Sequence, residues 1–224
     1  MATSDIKGKV LLYETRSEVL DMLVSRGFNI DNYKNFTQDQ INIQFEQQTN
    51  KYLITSEVGP LDILVENNKK EKIFVKYRLD NKFKKSKSLD QQIDGIYSDI
   101  LKETDTLVII LVSRVLSNNK DSNIYQYSQT IFNKKNYFVQ FFGLENFLFN
   151  PTKHAIVPQH IIINDEEEKE LLEKYNIDDK KFLPLIQRED PIAKYIGIKP
   201  GQVCKIMGKS FSSMYATKYR LCVN

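Results

Sequence analysis

Thr106-Leu-Val-Ile-Ile-Leu-Val-Ser113 is an apolar run of strand length with none of the alternation that marks a sheet open to water on one side. A strand without a polar face must be covered on both, as in a mostly parallel sheet flanked by helices. Working outward, residues 88–104 place Leu89, Ile93, Ile96, Ile100 and Leu101 at helical spacing. Residues 119–133 read as another helix and residues 137–142 as another strand. Upstream, residues 61–65 and 73–79 are β-prone runs on either side of the polar stretch 66–72, a strand pair. Strands separated by helices imply an α/β layered domain whose regular pattern ends near residue 142.

Two helices are expected before that sheet. In residues 9–26, Val10, Leu12, Val19, Leu20, Leu23 and Val24 form an apolar stripe, and Gly27 supplies a stop. Thr37 and Gln40 make a capping box ahead of Ile41, Ile43 and Phe45.

Turn chemistry at residues 143–152, with Asn150 and Pro151, marks a joint. It divides the chain into domains 1–147 and 148–224, a reasonable split for 224 residues. Beyond it, residues 155–163 read as extended, and Asn164 caps a helix whose first turn holds Asp165, Glu166, Glu167 and Glu168, acids favoured by the helix dipole. Leu171, Leu172 and Tyr175 give that helix an apolar face. Asp190 and Pro191 start a short helix that Gly197 closes. Pro200 and Gly201 then turn the chain into strand 203–207, and strand 215–223 completes a small α+β module.

Composition narrows the function classes. The 41% hydrophobic and 11% aromatic content suffices for packed cores, and the net charge is only +3. Neither half is a polycation, so contact with nucleic acid requires a local patch. The two cysteines, Cys204 and Cys222, lie in strand-like sequence, which fits a reducing compartment better than a disulfide framework. The first residues lack the basic and apolar regions of a secretory signal, and no apolar stretch approaches the roughly 20 residues of a membrane span. A soluble intracellular protein is expected, with no membrane partner.

Three constellations bear on chemistry. His154, His160, Cys204 and Cys222 are zinc-type residues, but they lack the close pairing of structural sites, and no metal or other cofactor is expected. Pro60 and Asp62 before a strand, with Lys76 beyond and Glu14 on the first helix, resemble a metal-dependent nuclease pattern, P-D followed by D/E-x-K. Phe74 occupies the position of its second acid and cannot bind a metal, so Asp62 and Lys76 are read as surface or edge-strand residues. Finally, Lys69, Lys70, Lys72, Lys76, Arg78, Lys82, Lys84, Lys85 and Lys87 stand against only Glu71 and Asp80. Of these, Lys82, Lys84, Lys85 and Lys87 are the candidates for lying near DNA phosphates.

The C-terminal motifs are the most specific. His154-Ala-Ile-Val-Pro158-Gln-His160, Leu171-Leu-Glu-Lys-Tyr175, Leu183-Pro-Leu-Ile-Gln187, Asp190-Pro-Ile-Ala-Lys-Tyr195-Ile-Gly197, Gly201-Gln-Val-Cys-Lys-Ile206 and Tyr219-Arg220 occur in the order and spacing of one family. They resemble the shared fifth subunit of eukaryotic-type DNA-directed RNA polymerases and its shorter archaeal counterpart. Residues 16–28 and 36–48 resemble the eukaryotic subunit's first two helices more loosely, which makes this the long, eukaryotic form.

The resemblance implies a nuclease-like, three-layer α/β jaw domain without activity and a small α+β assembly domain. The assembly domain would dock on the largest polymerase subunit, with downstream duplex DNA passing near the jaw. It implies a non-catalytic subunit of a transcription complex, not a homo-oligomer. The residues carried over to the partner surface are His154, Pro158, His160, Asp190, Pro191, Tyr195, Gly197, Gly201, Tyr219 and Arg220, with His160, Tyr195 and Arg220 foremost. A metal-dependent nuclease and a free-standing transcription adaptor are the alternatives.

The chain departs from the family where arginine is usual: Leu185, Pro200 and Tyr215 stand there, and Met214 replaces a glycine. An apolar side chain does not replace arginine's planar fork, so the docking face should differ electrostatically. These departures resemble copies carried by large DNA viruses. The expected location is the nucleus for a cellular protein, and the host cytoplasm, a viral factory or the virion for a viral one.

Overall fold

The computed structural model describes residues 2–48, 57–78, 87–111, 122–209 and 216–224. It divides into two compact units, Met1–Phe149 and Asn150–Asn224.

The first unit is built on a four-stranded sheet in the order β1 (Ile63–Glu66), β2 (Lys72–Arg78), β3 (Thr106–Leu111), β4 (Phe138–Gly143). β1 and β2 form an antiparallel hairpin, whereas β2, β3 and β4 run parallel. Every residue of β3 and β4 is buried, as expected of strands covered on both faces. Helices α3 (Lys87–Asp99) and α4 (Ser122–Lys135) cover one face, where Leu89, Ile93, Ile124 and Tyr127 join Phe74, Leu107 and Phe141 in a single core.

The other side of the unit is reached by α1 (Ala2–Ser25) and α2 (Gln38–Gln47). Gly27, at φ 84°, ends α1: its N–H bonds the Val24 carbonyl and the Phe28 N–H that of Leu23. Thr37 caps α2 in the expected capping box with Gln40. The apolar stripe of α1 is corrected. Val10 and Val24 are exposed, and the buried face comprises Leu12, Thr15, Arg16, Val19, Leu20, Met22 and Leu23. Arg16 can lie there because its guanidinium bonds the Leu61 carbonyl at 3.1 Å and sits over the rings of Phe36 and Tyr77.

The second unit holds a four-stranded sheet in the order β5 (Gln159–Ile162), β7 (Val203–Gly208), β8 (Ala216–Val223), β6 (Leu185–Gln187). Within residues 155–163 only β5 is strand; the stretch before it turns. α5 (Asp165–Lys174), capped by Asn164 and Glu167, covers one face through Leu171, packed with Val203, Leu221 and Leu183. α6 (Pro191–Ile196) covers part of the opposite face through Ala193, packed with Cys204, Cys222 and Ile186. The chain is thus a mixed α/β protein with two sheets. No helix among the described residues is long and apolar enough to cross a membrane.

Candidate functional site

The nuclease-like residues of the first unit are placed very differently from one another. Asp62 and Lys76 are buried, which corrects their reading as surface or edge residues. Lys76 Nζ lies 2.7 Å from Asp62 Oδ2 and also donates to the Glu57 carbonyl at 2.6 Å. The same carboxylate accepts from the Gly59 N–H at 2.7 Å, the Tyr77 N–H at 3.1 Å and Gln48 Nε2 at 3.5 Å. A carboxylate offers about four lone-pair sites, and each here has a protein donor, so Asp62 is a structural acceptor. Glu14 is exposed on α1 and Phe74 is buried, so no pair of acids is assembled. Among the described residues no group of three His, Cys, Asp or Glu could hold a metal ion.

The basic stretch is only partly described. Lys82, Lys84 and Lys85 lie outside the described residues, and Lys87 is the first residue of α3. Lys69 and Lys70 are exposed in the β1–β2 turn, where the Asn67 side chain accepts from the Lys69 and Glu71 N–H groups. Lys76 leaves this patch, since its charge is neutralised inside the unit.

The second unit carries an open groove of about 780 Å³ in which four of the sequence candidates meet. Pro158, His160, Asp190 and Arg220 line it, together with Ile206 and Lys218. Strand register explains this grouping. His160 pairs with Ile206 and Ile206 with Lys218, while Cys204 pairs with Arg220, so these side chains share one face of the sheet. α6 covers that face only at the Cys204–Cys222 end. His160 Nδ1 is 2.7 Å from the Pro158 carbonyl, which sets the ring against the groove wall. Arg220 is anchored by a 3.0 Å bond from Nη1 to the Leu185 carbonyl.

Asp190 stands at the groove edge as the cap of α6, accepting from the N–H groups of Ile192 and Ala193. Pro191 occupies the first helical position. Gly197 takes a left-handed conformation at φ 74° and closes the helix, and Gly201, at φ 90°, turns the chain toward β7. His154 is exposed before the groove, its Nδ1 accepting from the Ile156 N–H. Tyr219 points to the opposite face and packs edge-on against Tyr175.

Tyr195 is the clearest correction among the residues expected at the partner surface. It is 4% exposed, and its hydroxyl accepts a 2.6 Å bond from Asn150 Nδ2. A ring held this way joins α6 to the start of the unit and presents no surface. Burial also governs the neighbouring groups. Desolvation lowers the Lys194 ammonium below its ordinary range against the opposing pull of Glu189. It pushes the Cys204 thiol up to about 11 and that of Cys222 up to about 12. Both cysteines are free, buried thiols of the core beneath α6.

Sequence reasoning missed Lys218, Ile206 and Ile156. The i, i+2 spacing of Lys218 and Arg220 on a strand signals a shared face, but only the register shows which apolar residues lie beside them. Ile156, 84% exposed beside the groove, lies within the motif of residues 154–160, but nothing in its residue type shows that it is exposed.

Residues 149–222 match the family model described as RNA polymerase Rpb5, C-terminal domain. The chain is 30% identical over 199 residues to DNA-directed RNA polymerase V subunit 5A of Arabidopsis thaliana, spanning 87% of this chain and 80% of that protein. It is 28% identical to the Arabidopsis subunit 5B of polymerases IV and V, over 95% of this chain and 89% of that one. A Dictyostelium discoideum subunit, rpabc1 of polymerases I, II and III, is 34% identical over 57% of this chain and 62% of its own length.

Proposed function

The chain belongs to the family of the shared fifth subunit of DNA-directed RNA polymerases and is a non-catalytic subunit of that complex; from this premise we propose that the C-terminal unit docks on the largest subunit through its open groove. The observation that carries the reading is a coincidence of boundaries. The matched stretch 149–222 corresponds to the compact unit Asn150–Asn224, and that unit leaves part of one sheet face uncovered. An open groove with exposed cations and an exposed isoleucine, Ile156, at its side is what a subunit presents to a partner.

His160, Pro158 and Arg220, on the groove, touch the partner in this reading. Asp190, Pro191, Gly197 and Gly201 shape the unit, with His154 and Tyr219 at its periphery. The first unit acts as the jaw, a nuclease-like layered domain without activity, near downstream duplex DNA. Its phosphate-facing cations are Lys69 and Lys70 together with Lys82, Lys84, Lys85 and Lys87. In a eukaryotic cell the subunit works in the nucleus; a copy carried by a large DNA virus works in the host cytoplasm, and the arginine losses at Leu185, Pro200 and Tyr215 favour that origin.

The test is co-expression of the full chain with the largest subunit of its own polymerase. Ala216→Trp, which fills the groove from β8, should abolish co-purification. Lys169→Glu on α5, over the opposite sheet face, should leave it intact. Equal recovery of the two variants would refute groove docking.

A further inference from the structure

We infer that the groove accepts an extended acidic segment of the largest subunit, with apolar side chains on its floor and carboxylates against Lys209, Lys218 and Arg220. This rests on the docking reading above and adds the chemistry of the occupant. The floor is formed by the buried Ile186 and Ile206 and the half-buried Ile192, with exposed Ile156 beside it. Among the described residues it stays open at one end because α6 is short and because Gly208 and Ala216, paired across β7 and β8, carry little or no side chain. A Cβ at Gly208 would lie 3.1 Å from Pro158 Cβ, so the wall at residue 158 packs directly on the strand. The volume of about 780 Å³ falls within the roughly 300–1,000 Å³ of recognised binding sites.

Charge selects the occupant. Lys209, Lys218 and Arg220 line the groove, all three are exposed, and none pairs with a carboxylate among the described residues. Among the described residues Asp190 is the one acidic residue of the lining, and its Oδ1 is engaged by the first amides of α6. The resulting field favours carboxylates. A phosphate backbone would satisfy the cations yet leave Ile156, 84% exposed beside the groove, in water, which favours a peptide over a nucleic acid.

Binding is measured by fluorescence anisotropy on the full chain, with synthetic peptides of alternating Asp–Leu, Ser–Leu and Lys–Leu. The Asp–Leu peptide should bind at least about tenfold tighter than the Ser–Leu peptide, since three exposed ion pairs act together. Lys218→Glu with Arg220→Glu should invert the order in favour of Lys–Leu, and Lys169→Glu should not. These side chains are exposed, so the charge changes leave the fold intact, which melting curves verify. Equal binding of the Asp–Leu and Ser–Leu peptides, an unchanged order in the double variant, or stronger displacement by a duplex oligonucleotide than by free Asp–Leu peptide would overturn the inference.

Co-purification of the largest subunit separates the two claims. Loss with both Ala216→Trp and the double charge reversal supports both. Loss with Ala216→Trp alone keeps groove docking and overturns the acidic occupant, whereas no loss with either overturns docking itself.

Discussion

The ammonium of Lys76 lies 2.7 Å from the carboxylate of Asp62, both side chains buried beneath the hairpin of the first unit. These are the two residues whose sequence pattern resembles a nuclease's metal-binding acid and lysine, and in the fold they are part of the core. Asp62→Ala leaves a buried cation with the Glu57 carbonyl and the Phe74 ring but no counter-charge from Asp62, which costs about 3–5 kcal/mol. Asp62→Leu with Lys76→Met removes the stranded cation but still leaves the Gly59 and Tyr77 amides without their acceptor, so it should recover only part of that loss. Urea unfolding of the single and double variants measures the coupling; additive effects would show that the pair does not act as a unit.

Asp190 and Gly197 bracket α6 and can be tested together. Asp190→Ala removes the acceptor for two amides and should cost about 1 kcal/mol, whereas Asp190→Asn should cost a few tenths. Gly197→Ala forces a Cβ into the left-handed region, at roughly 1–2 kcal/mol. Thermal melts should show Asp190→Asn as the mildest variant, Asp190→Ala next and Gly197→Ala at least as severe, and equal losses for Asp190→Ala and Asp190→Asn would mean that the capping bond contributes nothing.

The buried thiols set an alkaline dependence. In the folded chain Cys204 and Cys222 keep their protons up to about 11 and about 12, while the unfolded chain loses them near 9. The unfolded state therefore binds fewer protons above pH 9, and stability falls as pH rises from there toward the folded values. Cys204→Ala with Cys222→Ala should flatten this fall in a series of melts above pH 9. At pH 8 the wild-type thiols should react with an aromatic disulfide reagent no faster than the protein unfolds; rapid labelling would contradict their burial.

Capping and turn chemistry were legible because they are local. Thr37 with Gln40, Asn164, and Asp190 with Gly197 each act within a few residues, and each forms the bonds its residue type predicts. The unbroken run at 106–111 likewise announced a strand covered on both faces. The burial of Asp62 and Lys76 was not legible, because it depends on Gln48, Glu57 and Gly59 closing over them. The phase of α1 was hidden for a related reason: Arg16 looks like a surface residue until Leu61, Phe36 and Tyr77 surround it. In the groove, the residue types were visible but their meeting was not. His160, Asp190 and Arg220 come from three distant segments: strand register brings His160 and Arg220 to one sheet face, and the packing of α6 sets Asp190 at its edge.

The basic stretch makes a prediction for the assembled polymerase. Neutralising Lys82, Lys84, Lys85 and Lys87 should weaken retention of downstream DNA and make it less salt-dependent, by about 0.9 in log–log slope for each phosphate no longer neutralised. Filter binding across a salt series reads the slope directly, and an unchanged slope would exclude these lysines as phosphate ligands.

The most direct test of the polymerase assignment is purification of the tagged full chain from its native source, followed by size exclusion and identification of its companions by mass. The chain should elute in a complex on the order of several hundred kilodaltons, with the two largest polymerase subunits in near-equal amount. Elution as the single chain, without those subunits, would contradict the account.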